Sequence, residues 1–184
     1  KARKDAIVAA SRNGLERSLK TLKGCTVYEG HGHFVAPGRV AVNGSELAAD
    51  RIFINVGARA AIPPIPGMDR VPYLTNSSMM DVDFQPRHLL VVGGSYIGLE
   101  IGQMFRRFGS EVTIVEMGPR LIGREDEDVS KAVADFLGRE GINVRTGAKC
   151  LHAAKRGNEI ALGLDCTEGA PEVVGSHLLV AIGR

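Results

Sequence analysis

Little in this sequence commits it to a class by composition alone. Its 184 residues carry a net charge of only +2, with 24% of residues charged, which implies no polyanionic partner. No basic stripe interleaved with aromatics is present, so a nucleic-acid partner is not expected. No apolar run reaches the roughly 18 residues that a membrane-spanning helix needs. The cysteines, Cys25, Cys150 and Cys166, are few, widely spaced and odd in number. That argues against a disulfide scaffold and for reduced thiols in a cytoplasmic protein. No signal peptide is visible, although the sequence opens on Lys1 rather than methionine. Solenoid-type repeats are absent. A chain of this length can bury one good core, or one and part of another.

What is present is concentrated between residues 89 and 116, in LLVVGGSYIGLEIGQMFRRFGSEVTIVE. Residues 89–92 are an apolar run suited to a buried strand of a parallel sheet. Gly93-Gly94-Ser95-Tyr96-Ile97-Gly98 then forms a tight turn into a helix, on which Ile97, Ile101, Met104, Phe105 and Phe108 make one apolar face. Gly109 ends the helix, residues 112–115 form a second strand, and Glu116 closes it 23 residues after Gly93. Strand, glycine turn, helix, strand and terminal acid in this order predict a dinucleotide-binding βαβ unit. Gly93 permits the sharp turn, and the start of the helix offers unpaired N–H groups to a pyrophosphate. Gly98 permits close packing of helix on strand, and Glu116 can accept hydrogen bonds from ribose hydroxyls. The middle glycine of G-x-G-x-x-G is replaced by Ser95. Its side chain limits backbone approach to the phosphates while offering a hydroxyl to them.

Elsewhere, residues 1–23 read as a helix with Ile7, Leu15, Leu19 and Leu22 on one side, ended by Gly24. It begins uncapped and in mid-pattern, so earlier turns are expected to precede it. Residues 26–49 read as an antiparallel meander with a hairpin turn at Asn43-Gly44. Residues 52–56 are expected to form a buried strand ending in Gly57. The run Ile62-Pro-Pro-Ile-Pro-Gly67 that follows suits an extended connector between domains. A short helix is expected over 76–83, with Ser77 or Ser78 near its cap. After Glu116, acids at 125–128 precede a helix bearing Val129, Val133, Phe136 and Leu137; they sit where the helix dipole favours negative charge and read as capping rather than metal-binding. A strand at 142–144, a second meander over 148–175 and a buried strand at 177–182 complete the chain. The two apolar strands ending in FINVG57 and LVAIG183 echo one another.

IFINVGARAAIPPIPG, GGSYIGLE, VTIVE and LLVAIGR, in that order along the chain, resemble the class I pyridine nucleotide-disulfide oxidoreductases, the family of dihydrolipoamide dehydrogenase, glutathione reductase and mercuric reductase. The resemblance runs along nearly the whole chain. It implies an α/β fold: a Rossmann-like dinucleotide-binding domain with a β-meander crossover at 84–184, preceded by an incomplete FAD-domain portion at 1–83. The cofactors implied are FAD and NAD, with NADP possible. Hydride would pass between NAD(H) and FAD, and electrons to or from a small-molecule or protein-bound disulfide or a metal ion, in a homodimeric parent.

By the same resemblance, Glu100 matches a glutamate that pairs with a lysine beside the flavin, a lysine that would lie upstream of Lys1. Tyr96 matches the residue whose ring covers the nicotinamide pocket and swings aside. From spacing alone, Glu100 is equally a solvated helix residue and Tyr96 a core aromatic. Gly32, Gly57, Gly183 and Arg184 match positions near FAD or the nicotinamide half, joining Gly93, Gly94, Ser95, Tyr96, Ile97, Gly98 and Glu116 as cofactor-binding candidates. For each glycine the simpler reading is a tight strand exit. His31 and His33 alternate on an expected strand and so share one face, but nothing supplies the further ligands a metal needs, and none is expected. The family's Cys-x4-Cys pair and its C-terminal His–Glu pair do not occur in this sequence, nor does a first FAD glycine motif. The chain is therefore expected to be an inactive, flavin-free piece of such an enzyme. The rivals are a flavin-dependent NADH reductase without a redox disulfide, of the ferredoxin or nitrite reductase type, and a non-catalytic NAD(H)-binding Rossmann sensor.

Glu116 also predicts a choice between cofactors. A 2′-phosphate at ~4 Å from a carboxylate, with an effective dielectric of ~20, meets a repulsion of about 4 kcal/mol before relaxation. NADH is the expected partner. Arg120 and Arg124 are the cations that can oppose that preference, with Glu125 and Asp126 competing for Arg124.

Overall fold

The computed structural model describes residues 1–165 and 169–184, so Cys166 lies outside the described residues. Two compact units emerge, Lys1–Gly57 and Ala58–Arg184.

The first unit consists of helix α1 (Ala2–Thr21) and three short strands, β1 (His33–Ala36), β2 (Arg39–Val42) and β3 (Ser45–Ala48). The strands form an antiparallel meander in the order β1-β2-β3. Asn43 and Gly44 both take positive φ, 47° and 78°, the geometry of a tight hairpin turn, and Val42 faces Ser45 across it. The Asn43 side chain donates to the Glu29 carbonyl and fastens the turn to the preceding segment. Helix α1 buries no residue. The side of Ile7, Leu15, Leu19 and Leu22 is exposed, and the helix is laced by surface pairs such as Lys1–Asp5 at 3.0 Å, which contribute little. Val42 is the one buried hydrophobic residue described in this unit.

The expected buried strand at 52–56 is not there. These residues are extended coil, with Phe53 90% and Val56 88% exposed. A buried strand needs a hydrogen-bonding partner and covered faces. Within the first unit the three strands pair with one another, and none pairs with 52–56.

The second unit holds the core. Strands β4 (Leu74–Thr75), β5 (His88–Val92), β6 (Glu111–Val115), β7 (Asn143–Arg145) and β11 (His177–Val180) form one sheet in the order β4-β11-β5-β6-β7. Every pairing in it is parallel. Helices α2 (Tyr96–Arg107) and α3 (Glu127–Arg139) connect β5 to β6 and β6 to β7. Between β7 and β11 the chain makes an antiparallel meander, β8 (Lys149–Arg156), β9 (Glu159–Asp165) and β10 (Glu172–Gly175). This is the Rossmann-like sheet with a β-meander crossover that the sequence predicts.

Period-two alternation in β5 explains the layering. Leu89 and Val91 pack on the helical side with Leu99, Ile101, Phe105 and Leu137. Leu90 and Val92 pack on the meander side with Ala153, Ile160, Leu162 and Val173. Both helices end in the same way. Gly109 follows α2 with φ 105°, its N–H bonded to Arg106 O and that of Ser110 to Phe105 O, and Gly141 repeats the arrangement after α3 with φ 78°. Arg106 ties the two ends together through Nε to the Glu140 carbonyl at 2.7 Å and Nη1 to that of Ser110 at 3.3 Å.

Several local expectations need correction. Phe108 and Val129, assigned to apolar helix faces, are exposed, because one is the C-cap of α2 and the other sits in the first turn of α3. The helix expected over 76–83 is a single 3-10 turn, Ser78–Met80. Ser78 Oγ accepts from Thr75 N at 2.8 Å, and Pro86 disfavours helix in the residue before it. The strand expected over 177–182 stops at Val180, leaving Ile182 exposed. The acids before α3 do occupy its first turn, but the N-cap residue Asp126 makes no side-chain cap bond.

Candidate dinucleotide-binding site

At the carboxyl ends of β5, β6 and β11 lies a cleft of about 720 Å³. Its floor is the turn after β5. Gly93 takes φ 113°, and a Cβ there would fall 2.5 Å from the Ala181 carbonyl oxygen, so the position demands glycine. A Cβ on Gly98 would fall 2.1 Å from the Gly93 carbonyl oxygen, which is the close approach of helix to strand that the motif requires. Both glycines are buried, behind the cleft wall. Ser95 is the N-cap of α2, extended at φ −102°, with a side chain that makes no cap bond. The first intrahelical bond runs from Leu99 N to Ser95 O at 3.1 Å. The N–H groups of the first turn, at 96–98, therefore have no acceptor within the helix, and the positive end of its dipole faces the cleft.

Gly94, Ser95, Tyr96, Ile97, Glu116, Gly183 and Arg184 all line this cleft. The sequence places them in three separate stretches, and the fold assembles them. Glu100 lies one turn further along α2, exposed and outside the lining, with no hydrogen bond or ion pair among the described residues. Tyr96 is no core aromatic. It is 54% exposed, and its hydroxyl donates to the Glu125 carboxylate, which raises the phenol's pKa. Gly32 and Gly57 belong to the first unit. A Cβ on Gly32 would make only ordinary contact, 3.7 Å from Val40 Cγ1, and Gly57 needs its φ of 68° but has nothing within 4 Å.

Glu116 is half-buried, and both its oxygens are engaged. Oε2 accepts from Gly94 N at 2.6 Å and Oε1 from Gly118 N at 2.6 Å. The arginines reverse the sequence expectation. Arg120 is the committed one, with Nη1 at 3.1 Å from Glu127 Oε1 and Nη2 at 3.2 Å from the carbonyls of Gly123 and Glu125. Arg124 is exposed and makes no hydrogen bond or ion pair among the described residues. Sequence reasoning also missed Gly118 and Ile122. Ile122 takes φ 40°, unusual for a β-branched residue, and its N–H bonds the Gly94 carbonyl at 2.8 Å. Nothing in the local sequence signals that strain, whereas Gly118, two residues past the acid, was a visible cue.

The described residues hold no cluster of three or more potential metal ligands. Only His33 lies in a strand, β1, and the expected strand does not reach His31, although the two rings stack at 6.0 Å. Burial pushes the Cys150 thiol up to about 11, which makes it a poor nucleophile. No helix is long and apolar enough to cross a membrane among the described residues.

A glycine turn, a free helix N-terminus and an acid at the next strand end define a dinucleotide-binding α/β protein. The chain belongs to the pyridine nucleotide-disulphide oxidoreductase family, whose sequence profile matches residues 2–184. Members of this family use FAD and NAD(P)H. The chain is 34% identical over 181 residues to mercuric reductase of Bacillus cereus, covering 98% of this chain and 29% of that protein. It is 33% identical over 186 residues to dihydrolipoyl dehydrogenase of Acholeplasma laidlawii, covering 99% and 54% respectively. Among solved structures, the HOCl-induced flavoprotein disulfide reductase RclA of Escherichia coli superposes with a TM-score of 0.88 at 30% identity, over 100% of this chain and 42% of that one. The chain thus spans between about a third and a half of these relatives.

Proposed function

We propose that this chain supplies the NAD(H)-binding module of an FAD-dependent NAD(P)H oxidoreductase, one that exchanges electrons with a disulfide or a metal ion. The observation that carries the reading is the joining of the glycine turn, the open N-terminus of α2 and Glu116 in one cleft. In this assignment residues 84–184 are the NAD domain. Residues 1–83 descend from an FAD domain, with 58–83 docked as a connector in the second compact unit. Disulfide or mercuric substrates are suggested by the names of the relatives, and a cytoplasmic homodimer is the setting we propose for the parent.

The residues present fit a dinucleotide. The N–H groups at the start of α2, with the Ser95 hydroxyl, would bind the pyrophosphate, and Glu116 the adenine ribose. Ile182, Gly183 and Arg184 would border the nicotinamide half, with Tyr96 beside it. Bound nicotinamide and flavin supply the hydride chemistry; the side chains here orient, select and exclude water. Glu100, an exposed carboxylate one turn past Tyr96, is positioned to steady a cation rather than to touch the nucleotide. In the first unit no comparable cradle forms around Gly32 or Gly57 among the described residues, so the chain alone is expected to purify colourless.

Titration of NADH into the chain, followed by calorimetry, tests the reading. Saturable binding with Kd between ~1 μM and ~1 mM is expected, the usual span for such ligands. No saturation at ~1 mM, or a stable stoichiometric FAD complex, overturns the assignment.

A further inference from the structure

Glu116 does not hang free at the end of β6. Its two oxygens accept the N–H groups of Gly94 and Gly118, each at 2.6 Å, one from the turn after β5 and one from the loop after β6. Gly118 is itself held, its carbonyl accepting from Gly147 N at 2.7 Å, and the Glu116 backbone is fixed by Arg145 O at 2.8 Å and Ala148 N at 3.0 Å. Gly94 must be glycine for this contact, since a Cβ there would fall 2.9 Å from the Glu116 Cβ and 2.6 Å from Leu121 Cδ2. A freely rotating glutamate evades an incoming phosphate by changing rotamer, and most of its electrostatic selectivity is lost. One held by two charge-assisted hydrogen bonds from the main chain does not.

We infer that Gly118 is a specificity-positioning residue. Its N–H, with that of Gly94, locks the Glu116 carboxylate against the adenine-ribose position, so that the cleft accepts a ribose diol and rejects a 2′-phosphate. Each oxygen keeps a lone pair for a ribose hydroxyl, since a carboxylate offers about four acceptor sites. One cation of the cleft lining that could compensate a phosphate, Arg120, is withheld by Glu127 and two carbonyls. Arg124 remains available, and the lock therefore sets a preference rather than an absolute bar. The inference rests on the NAD(H) reading of the same cleft.

The test compares Kd for NADH and NADPH in the full chain with Gly118→Ala, Glu116→Gln and Met117→Ala. At Gly118 an added Cβ would lie 3.1 Å from Glu116 Oε1, close enough to push the carboxylate off its seat. Gly118→Ala is expected to narrow the NADH-over-NADPH ratio roughly three- to tenfold with little change in melting temperature, as is Glu116→Gln. Met117→Ala, at the exposed residue between them, is expected to leave the ratio unchanged. The second readout needs no nucleotide. In Glu116→Ala, which removes both acceptor oxygens, the amide resonances of Gly94 and Gly118 should shift together. A ratio unmoved by Gly118→Ala, or one amide shifting without the other, overturns the lock while leaving NADH binding intact. If neither nucleotide saturates the unmodified chain, the NAD(H) reading and this inference fall together.

Discussion

FINVG at 53–57 and LVAIG at 179–183 are both short apolar runs ending in a glycine with positive φ, 68° and 121°. Leu179 and Val180 are buried in β11, which has β4 on one edge and β5 on the other. Phe53, Ile54 and Val56 belong to no strand and are exposed. Composition does not separate the two, so neighbours must. The second run has parallel partners on both edges, helices over one face and a meander over the other. The first has none of these within its own unit. An apolar β-branched run is a request for partners rather than a strand. Left unpaired, it is an exposed edge prone to association.

Truncating one side chain in each region should separate them most widely. Leu90, wholly buried on the meander side, should cost ~2–5 kcal/mol when changed to Ala. Phe53→Ala, at a residue 90% exposed, should stay within ~0.5 kcal/mol. Urea unfolding measures both. A large loss at Phe53 would mean that 52–56 is packed in solution after all.

Gly93 and Gly57 differ next in what a side chain would meet. Gly93→Ala combines an unfavourable φ with a Cβ 2.5 Å from a carbonyl oxygen, and should cost roughly 2–5 kcal/mol together with nucleotide binding. Gly57→Ala meets nothing within 4 Å and should cost only the left-handed backbone term, ~1–2 kcal/mol or less. Thermal unfolding of the two variants side by side decides the matter, and equal losses would remove the distinction drawn here.

These contrasts show how far the sequence could be read. The β5-turn-α2-β6 unit was legible because its cues agreed, save for Phe108 at the end of α2: the run at 89–92, the glycines, the apolar face through Ile97, Ile101 and Phe105, and Glu116 specify one local structure. The Asn43-Gly44 turn was legible for the same reason, since only those residues take the required φ readily. The strand at 52–56 was misread because pairing is non-local and leaves no mark on the segment itself. The state of Arg120 and the strain at Ile122 were unreadable because they depend on carbonyls and side chains brought in by the loop's tertiary path. Gly118 could have been found by asking what holds a selective carboxylate in place.

A smaller effect comes from the cleft at the carboxyl ends of β5, β6 and β11. Glu116→Ala removes the negative charge, and the NADH-over-NADPH preference should fall roughly tenfold, about 1.4 kcal/mol, at low salt. The measurement is the ratio of the two dissociation constants. Tighter NADPH than NADH binding in the unmodified chain would show that Arg124 outweighs the acid.

The smallest expected effect is a pH dependence of the second unit's stability, carried at the amino ends of β5 and β11. Burial lowers the pKa of His88; the Glu111 carboxylate, 3.6 Å from Nδ1, pulls it back without cancelling the effect, while Arg87 adds to the depression. Burial also lowers that of His177, whose Nδ1 lies 3.0 Å from Ser176 Oγ and whose ring stacks on Phe84 at 4.7 Å. Both imidazoles are therefore protonated less readily when folded than at the ordinary value of 6.5. Between that value and the depressed folded ones, the unfolded chain binds more protons, so stability rises with pH. Full stability is present above about 6.5, falls as pH drops below it, and levels off once the folded-state imidazoles are also charged. His88→Gln keeps a partner for Thr113 Oγ1, which the imidazole Nε2 holds at 2.9 Å, and should flatten part of the slope. His177→Gln should flatten the rest. Urea midpoints taken from pH 5 to 8 test this. An unaltered slope in the double variant would mean that neither imidazole is desolvated enough to matter, and that the amino ends of these strands are wetter than the packing around Phe84 and Thr113 implies.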